Sequence, residues 1–271
     1  MNTLRAAWME QRFLTRAPLK LVDTHAHLCD AGFDPDRHEV LARASLAGVK
    51  AVVAVGEDLA DARKNLDLAG EHPMIKVAVG LYPTHLDPDL AAEMAAFIRA
   101  NRAGLVAIGE VGLDYWAVQE ASEKEVQREI FKTFIQLSRE LELPLNLHSR
   151  AAGRHAVALL LENNARAVQL HAFDGKAGTA LPAVEAGYFF SIPPSVVRSR
   201  QKQKLVRHLP LGCLLVESDS PVLGPDPQGR NEPANIFLAV KAIAQLKQVH
   251  ETQVMEAIAE NTVRLYGDRI A

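Results

Sequence analysis

The chain has 271 residues, of which 48% are hydrophobic and 23% charged, so it fits one large α/β domain or two small ones of ordinary globular composition. Its net charge of −3 gives no overall attraction to nucleic acid, and such a partner would have to bind a local patch or metal ions. No apolar run approaches the ~20 residues that cross a bilayer, which argues against a membrane partner.

Residues 1–19 form a basic leader before the first predicted strand. The first twenty residues carry four basic side chains against one acidic one, Glu10, and lack the continuous apolar core of a secretory signal. We interpret residues 1–19 as an N-terminal extension, with a transit-like segment as the alternative. The two cysteines, Cys29 and Cys213, lie far apart and form no CxxC pair, which favours a reducing, cytoplasmic location.

Short β-like runs then alternate with longer helical patterns. The eight predicted strands cover residues 20–24, 51–55, 75–79, 105–109, 144–148, 168–171, 187–192 and 213–217. One helical pattern between them, residues 123–141, carries apolar residues spaced by three or four positions, as in an amphipathic helix. Eight strand–helix units in about 250 residues match a (β/α)₈ TIM barrel, whereas an open doubly wound sheet would not need eight. We therefore predict a single barrel domain over residues 20–271.

Six polar side chains come at the ends of these apolar runs. They are His25, His27, Glu110, His148, His171 and Asp219. Side chains two apart on a strand point to the same side, so His25 and His27 project together. Barrels of this kind carry their chemistry at the carboxyl ends of the strands, where all six would meet. Imidazoles with a few carboxylates suit zinc, manganese and similar ions, and the sequence therefore predicts a metallohydrolase.

Five segments closely resemble the signatures of the TatD family of metal-dependent deoxyribonucleases, a branch of the amidohydrolase-like barrels. They are residues 21–28 (LVDTHAHL), 109–115 (GEVGLDY), 144–150 (PLNLHSR), 171–175 (HAFDG) and 215–221 (LVESDSP). The stretch 186–195 (AGYFFSIPPS) is most similar to the branch of the third animal TatD-domain-containing protein. The similarity runs in order from about residue 20 to 267.

The resemblance implies a TIM barrel of the amidohydrolase-like type and a two-metal phosphodiesterase that acts on DNA. Position and resemblance together assign one divalent ion to His25, His27, Glu110 and Asp219. They assign a second to Glu110, His148 and His171, with Glu110 bridging both. Zinc, manganese and magnesium stay open as the metal. Asp219 and Glu110 are the candidate catalytic residues, since the anionic Asp219 beside an activated water is a suitable general base.

Two further carboxylates lie one layer deeper than the ligands. Asp23 precedes His25 by two positions, and Glu217 precedes Asp219 by two, so each points to the same side as a ligand. We predict that Glu217 orients a ligand. For Asp23, such support, packing and a direct role all stay open.

Several residues near the predicted mouth are candidate substrate contacts. Arg150 follows His148 by two positions and could clamp a phosphate bidentately, with a surface salt bridge as the alternative. Four loop residues after the last two predicted strands are further candidates, each with a solvated loop role as the alternative: Ser195, Arg198, Arg230 and Asn231. Tyr115 or Trp116 could stack on a base, although ordinary packing is the interpretation we favour.

The chain departs from the family pattern at two positions near the predicted ligands. Cys29 stands where members usually have Asp or Asn, and Tyr82 stands where many have His before the proline of the third loop. Neither change removes a metal ligand. Both therefore bear on substrate choice rather than on the basic chemistry.

Three functions follow from this sequence. The first is a TatD-type deoxyribonuclease that cleaves single strands from the 3′ end or nicks DNA at abasic sites. The second is a small-molecule amidohydrolase or phosphoesterase on the same metal site, because this barrel serves many substrates. The third, a non-catalytic metal-binding interaction partner, predicts a missing ligand or base, and none is missing. Oligomeric state is open, and a monomer is compatible with the sequence.

Overall fold

Eight parallel strands form one sheet in the computed structural model, which describes residues 21–270. The predicted extension over residues 1–19 lies outside the described residues. The strands are β1 (Leu21–Ala26), β2 (Val49–Ala54), β3 (Ile75–Val79), β4 (Leu105–Gly112), β5 (Leu145–His148), β6 (Val168–Leu170), β7 (Phe189–Ile192) and β8 (Leu214–Val216). Their order in the sheet is their order in the chain. All eight overlap the predicted strands.

Strand β4 is longer than the sequence predicts. It was expected to end at residue 109, but its parallel pairing with β5 continues until Gly112 lies opposite His148. Glu110 therefore lies inside β4 and does not follow it. The apolar pattern of β4 ends at Gly109, before Glu110. The backbone pairing with β5 continues beyond it to Gly112.

The first strand meets the segment that follows the last one. The Asp219 amide donates to the carbonyl of His25 at 2.9 Å, and the His27 amide donates to the carbonyl of Ser220 at 2.8 Å. The Thr24 hydroxyl donates to the Val216 carbonyl at 2.9 Å. These contacts close the sheet, and the predicted (β/α)₈ TIM-barrel class is confirmed.

Helices connect the strands and cover the sheet. Those of the described residues are α1 (Arg37–Ala47), α2 (Leu59–Glu71), α3 (Pro88–Asn101), α4 (Ala121–Leu141), α5 (Gly153–Glu162), α6 (Ala177–Glu185), α7 (Arg200–His208), α8 (Ile236–Lys247) and α9 (Glu251–Tyr266). Local chemistry sets several of their starts. Asp58, Asp87 and Ser199 each accept an amide hydrogen from the first turn of the helix that follows.

The core lies between the sheet and the helices. Phe134 on α4 and Ile98 on α3 are fully buried against strand residues such as Ile108. The amphipathic pattern predicted for residues 123–141 is thus the buried stripe of α4. None of the described helices is long and apolar enough to cross a membrane. Because the helices pack outside the sheet, the site can form at the carboxyl ends of the strands and in the loops that follow them.

Candidate metal centre and substrate cavity

Four predicted ligands place their donor atoms around one point. The Nε2 atoms of His25 and His27 are 3.3 Å apart. Oε2 of Glu110 lies 3.6 Å from the first nitrogen and 3.3 Å from the second, and Oδ1 of Asp219 lies 3.5 and 3.6 Å from them. A tetrahedral ion with bonds of about 2.0–2.2 Å holds its ligand atoms about 3.3–3.6 Å apart. The spacing therefore fits one divalent ion.

The second predicted group meets at the other oxygen of the same carboxylate. Oε1 of Glu110 lies 2.5 Å from Nδ1 of His148 and 3.1 Å from Nε2 of His171. The donor atoms of these three residues all lie within 4.8 Å of one another. All six residues that the sequence singled out are thus brought together, with Glu110 between the two groups.

The Glu110 carboxylate gives an independent test of whether a cation fits. The residue is 1% exposed, and its Oε2 makes no hydrogen bond with any group in residues 21–270. Burial alone would raise its pKa, but His171, His148 and His25 outweigh burial and hold the pKa well below its usual range. A buried charge with an unsatisfied oxygen is costly unless a cation compensates it. The residues present therefore fit a divalent ion.

Burial and the charges of this cluster also shift the pKa values of His25, His27 and Asp219. Burial, helped by the charge of His171, lowers the pKa of His25 to about 3. For His27 burial acts in the same direction, but the Glu110 carboxylate 3.3 Å away outweighs it and raises the pKa of His27 to about 9. Burial raises the pKa of Asp219 to about 6 against the opposing effect of His171. Protons and a cation consequently compete for this cluster.

Glycines on both sides of Glu110 let β4 approach β5 closely. A Cβ atom on Gly109 would lie 2.6 Å from Cβ of Asn146, and one on Gly112 would lie 2.0 Å from the carbonyl oxygen of His148. Gly112 also has a φ of 145°, a backbone conformation that residues other than glycine rarely adopt. This close approach brings the Glu110 carboxylate to the imidazole of His148.

Asn146 and Asp114 each contact a ring nitrogen of a predicted ligand and orient its imidazole. Oδ1 of Asn146 lies 2.8 Å from Nδ1 of His25, and Oδ2 of Asp114 lies 3.0 Å from Nε2 of His148. Such partners fix the ring and select the nitrogen that faces the metal. The sequence reasoning gave no role to Asn146, although strand alternation places it on the same side as His148 two positions later. It placed Asp114 only at the mouth.

Glu217, for which the sequence predicts an orienting role, contacts the ring of His171 and the backbone amide that follows it. Its Oε2 accepts the Ser191 hydroxyl at 2.5 Å and lies 3.5 Å from Nδ1 of His171, while its Oε1 accepts the Ala172 amide at 2.8 Å. It thus fixes both the ring and the backbone at His171. The other nitrogen of that ring faces Glu110.

Asp23 lies deeper and contacts backbone. Its Oδ1 accepts the amides of Ser218 at 2.7 Å and His25 at 3.3 Å, which ties β1 to the chain after β8. Its Oδ2 is buried without a hydrogen-bond partner among the described residues, and burial raises the pKa of Asp23 to about 8. These contacts support the backbone that carries His25 and Asp219.

The cluster opens into a cavity of about 880 Å³, a size typical of small-ligand pockets. Its wall includes Glu57, Tyr82, Arg150 and Lys202, of which sequence reasoning selected Arg150 as a contact. Lys202 is 8% exposed and donates to the Ala172 carbonyl at 2.8 Å. Lys202 lies three and four positions before the buried Leu205 and Val206, so helical spacing places it on the inward face of α7, a signal that the sequence reasoning missed. With Lys64, which is paired with Asp34, the cavity wall therefore carries three cationic side chains that an anionic substrate could meet.

The two departures from the family pattern take different places. The Tyr82 hydroxyl lies 3.5 Å from both Asp114 Oδ2 and His148 Nε2, so this residue borders the metal centre. Cys29 is 4% exposed, with its Sγ 3.5 Å from the Val55 carbonyl, and burial raises its pKa to about 12. Cys29 thus behaves as a small packed side chain.

The other predicted phosphate contacts are not among the residues that line the cavity. Ser195 is buried, and Nε of Arg198 donates to the Gly224 carbonyl at 3.2 Å. Asn231 is 1% exposed and donates to the carbonyls of Ser218 and Val222. Arg230 binds both oxygens of Asp36 at 2.8 and 2.6 Å. The position of a residue in a loop does not fix the direction of its side chain. The sequence therefore could not show that Arg150 lines the cavity while these four residues do not.

Comparison with known proteins agrees with this geometry. The family model described as TatD related DNase matches residues 22–267. The chain belongs to the TatD family. It is 42% identical to human deoxyribonuclease TATDN3 over 265 residues, which covers 92% of this chain and 96% of that protein. The match confirms both the predicted family and the predicted branch.

Two other relatives place the family more broadly. The metal-dependent hydrolase YabD of Bacillus subtilis, itself named uncharacterized, is 34% identical over 255 residues, or 91% of this chain and 98% of that protein. The crystal structure of a TatD family hydrolase from Entamoeba histolytica superposes with a TM-score of 0.84 over 93% of this chain and 99% of that one. At 20% identity, that likeness shows the fold alone. The protein is thus a metal-dependent hydrolase of the TatD family.

Proposed function

We propose that the protein is a TatD-type deoxyribonuclease that cleaves phosphodiester bonds with two divalent ions. The observation that carries this proposal is the position of Glu110, whose two oxygens face two separate groups of imidazoles. A bridging carboxylate of this kind suits a pair of ions, which is a common solution for phosphodiester cleavage. The name of the human relative, a deoxyribonuclease, agrees with that chemistry.

The residues of the chain divide the work around the bound phosphate. When bound, the two ions supply an activated water and neutralise charge on the phosphoryl oxygens. The Asp219 carboxylate, on the chain segment after β8, lies in this cluster beside His25 and would accept the proton from that water. In the metal-free cluster the pKa of Asp219 is about 6, so the carboxylate is mostly ionised near neutral pH, and an ionised carboxylate is a suitable proton acceptor. Asn146 and Glu217 keep the imidazoles of His25 and His171 in place.

Arg150 is the cation best placed to hold the substrate phosphate. It lines the cavity, and within residues 21–270 its guanidinium makes a stacking contact with Trp116 but no hydrogen bond or ion pair. Its five N–H donors are therefore available for bidentate contact with phosphate oxygens. Arg230, which is already paired with Asp36, offers no such free edge.

We further propose that the substrate is single-stranded or damaged DNA and that the protein acts in the cytoplasm. A single strand or a damaged site reaches the cavity more easily than intact duplex, because the acidic chain gives no general attraction to a long polyanion. Removal of nucleotides from a 3′ end and nicking at abasic sites are the two modes of cleavage that we propose. Both cysteines are free and buried, in keeping with action in the reducing cytoplasm as a monomer.

A substrate panel tests the proposal. Metal-replete protein is incubated with 5′- and 3′-labelled single-stranded, duplex and abasic DNA, and with a neutral carboxylic ester. We expect metal-dependent cleavage of single-stranded or abasic DNA, blocked by a chelator and restored by added metal. Hydrolysis of the ester with no cleavage of any DNA would instead support a small-molecule hydrolase.

A further inference from the structure

A strip of aromatic and basic side chains lies beside the cavity, and all of its members except Arg150 are unused by the chemistry proposed above. It consists of Tyr115, Trp116, Lys124, Arg128 and Arg150, and we call it the aromatic–cationic strip. Trp116 is 60% exposed, so the packing role favoured from sequence is wrong for this residue. Large exposed indoles of this kind are enriched at binding interfaces.

The rings of the strip alternate with cations. The guanidinium carbon of Arg150 lies 3.8 Å from the Trp116 ring centre. Lys124 Nζ and the Arg128 guanidinium lie 5.1 and 5.9 Å from the Tyr115 ring centre, and Arg128 Nε donates to the Tyr115 hydroxyl at 2.8 Å. Arg128 is also paired with an acidic residue. Lys124 donates to the Gln119 carbonyl at 2.7 Å and makes no ion pair within residues 21–270, so no carboxylate there neutralises its charge.

The strip is fixed to the metal centre by one aspartate. Asp114 Oδ1 accepts the amides of Trp116 at 2.9 Å and Ala117 at 2.8 Å, while its Oδ2 contacts His148. The Tyr115 amide donates to the Arg150 carbonyl at 3.0 Å, which joins the loops after β4 and β5. The position of the exposed ring is thus set relative to the site of cleavage.

From this arrangement we infer that the aromatic–cationic strip binds the single-stranded nucleic acid that extends beyond the scissile phosphate. This inference rests on the proposed function and specifies its substrate as a strand several nucleotides long. The exposed face of Trp116 takes an unpaired base by stacking, and Arg150 and Lys124 take the adjoining phosphates. A duplex would not fit, because its bases are already stacked on one another.

Binding measured without turnover tests the inference. The probe is a fluorescent, cleavage-resistant phosphorothioate oligothymidylate of about twelve nucleotides, added to the metal-replete protein and followed by anisotropy. Since stacking contributes about 1–3 kcal/mol per base, we expect Trp116→Leu to weaken binding about ten- to a hundredfold and Trp116→Phe to restore much of it. Leu46→Ala, at a residue 89% exposed on α1, is the control and should leave binding unchanged.

Cleavage of substrates of different length separates this inference from the proposed function. On unmodified DNA we expect Trp116→Leu to raise KM for the longer strand by a much larger factor than KM for a dinucleotide, which does not extend onto the strip. Equal loss on both substrates, or strand binding that does not depend on Trp116, would overturn the strip as a binding surface. Absence of DNA cleavage by the unaltered protein would instead refute the nuclease proposal, whatever the strip binds.

Discussion

Glu110 and His148 face each other across β4 and β5, with Oε1 of the carboxylate 2.5 Å from Nδ1 of the imidazole. The other oxygen of Glu110 is turned to His27, 3.3 Å away. One carboxylate therefore belongs to both ligand groups, and its loss should affect both at once. No other predicted ligand has this position.

Replacement of Glu110 should abolish hydrolysis. Glu110→Gln removes the charge that both ligand groups share, so we expect loss of bound metal together with loss of activity. The fold should persist, because the stability of the barrel rests on strand and helix packing below the mouth. Metal analysis, circular dichroism and turnover on labelled DNA check this. Glu57→Gln, at another cavity glutamate, is the control that should keep its metal; retention of metal and turnover by Glu110→Gln would refute the shared position.

Glu217 should act through His171. Glu217→Gln weakens the contact that orients this ring, and loss of such orienting partners typically lowers metal affinity or activity about ten- to a hundredfold. We expect the metal concentration needed for half-maximal activity to rise, with excess metal restoring turnover. Asn235→Ala, in the loop after β8, should not shift this concentration. An unchanged metal requirement in Glu217→Gln would show that the ring is held by other contacts.

Arg150 and Arg230 should differ sharply, although both were candidates from sequence. Arg150→Ala removes a cavity cation with free donors, and we expect kcat/KM on a short single strand to fall by roughly ten- to a hundredfold, or about 1.5–3 kcal/mol. Lysine should rescue it only in part, because it lacks the planar fork. Arg230→Ala breaks the pair with Asp36 and should leave DNA cleavage intact. Equal effects of the two variants would remove the special role of Arg150.

Metal binding should release protons near neutral pH. The pKa of His27 is raised to about 9 and that of His148 is also raised, so both rings hold protons in the metal-free cluster. A cation must displace these protons, and its apparent affinity therefore falls as the pH is lowered. Calorimetric titration in two buffers of different ionisation enthalpy measures the number released. Identical heats in both buffers would contradict these raised pKa values.

Much of the fold and the metal centre could be predicted from the sequence. The strand–helix rhythm predicts the barrel, and polar residues that end apolar runs predict its mouth. His25 and His27 show the principle most simply, since strand alternation alone places them side by side. For the same reason Asn146 could have been found from its spacing to His148.

Other parts of the site depend on side-chain direction, which sequence spacing does not give. Arg230 and Asn231 follow β8 as expected, yet one is paired at the surface and the other supports backbone. Lys202 lies on the inward face of α7 with Leu205 and Val206, but that spacing alone does not show that its ammonium group reaches the cavity. Trp116 is exposed on a loop in which its amide donates to Asp114, an arrangement that only the folded chain reveals.

Metal titration with an activity readout tests the central claim, a two-ion hydrolase built around Glu110, most directly. Protein stripped of metal is titrated with zinc or manganese, and cleavage of a labelled single strand is measured at each addition. We predict that activity rises until two ions are bound per chain, and that the first ion alone gives little turnover. Full activity at one tightly bound ion, with nothing gained from a second, would contradict the account.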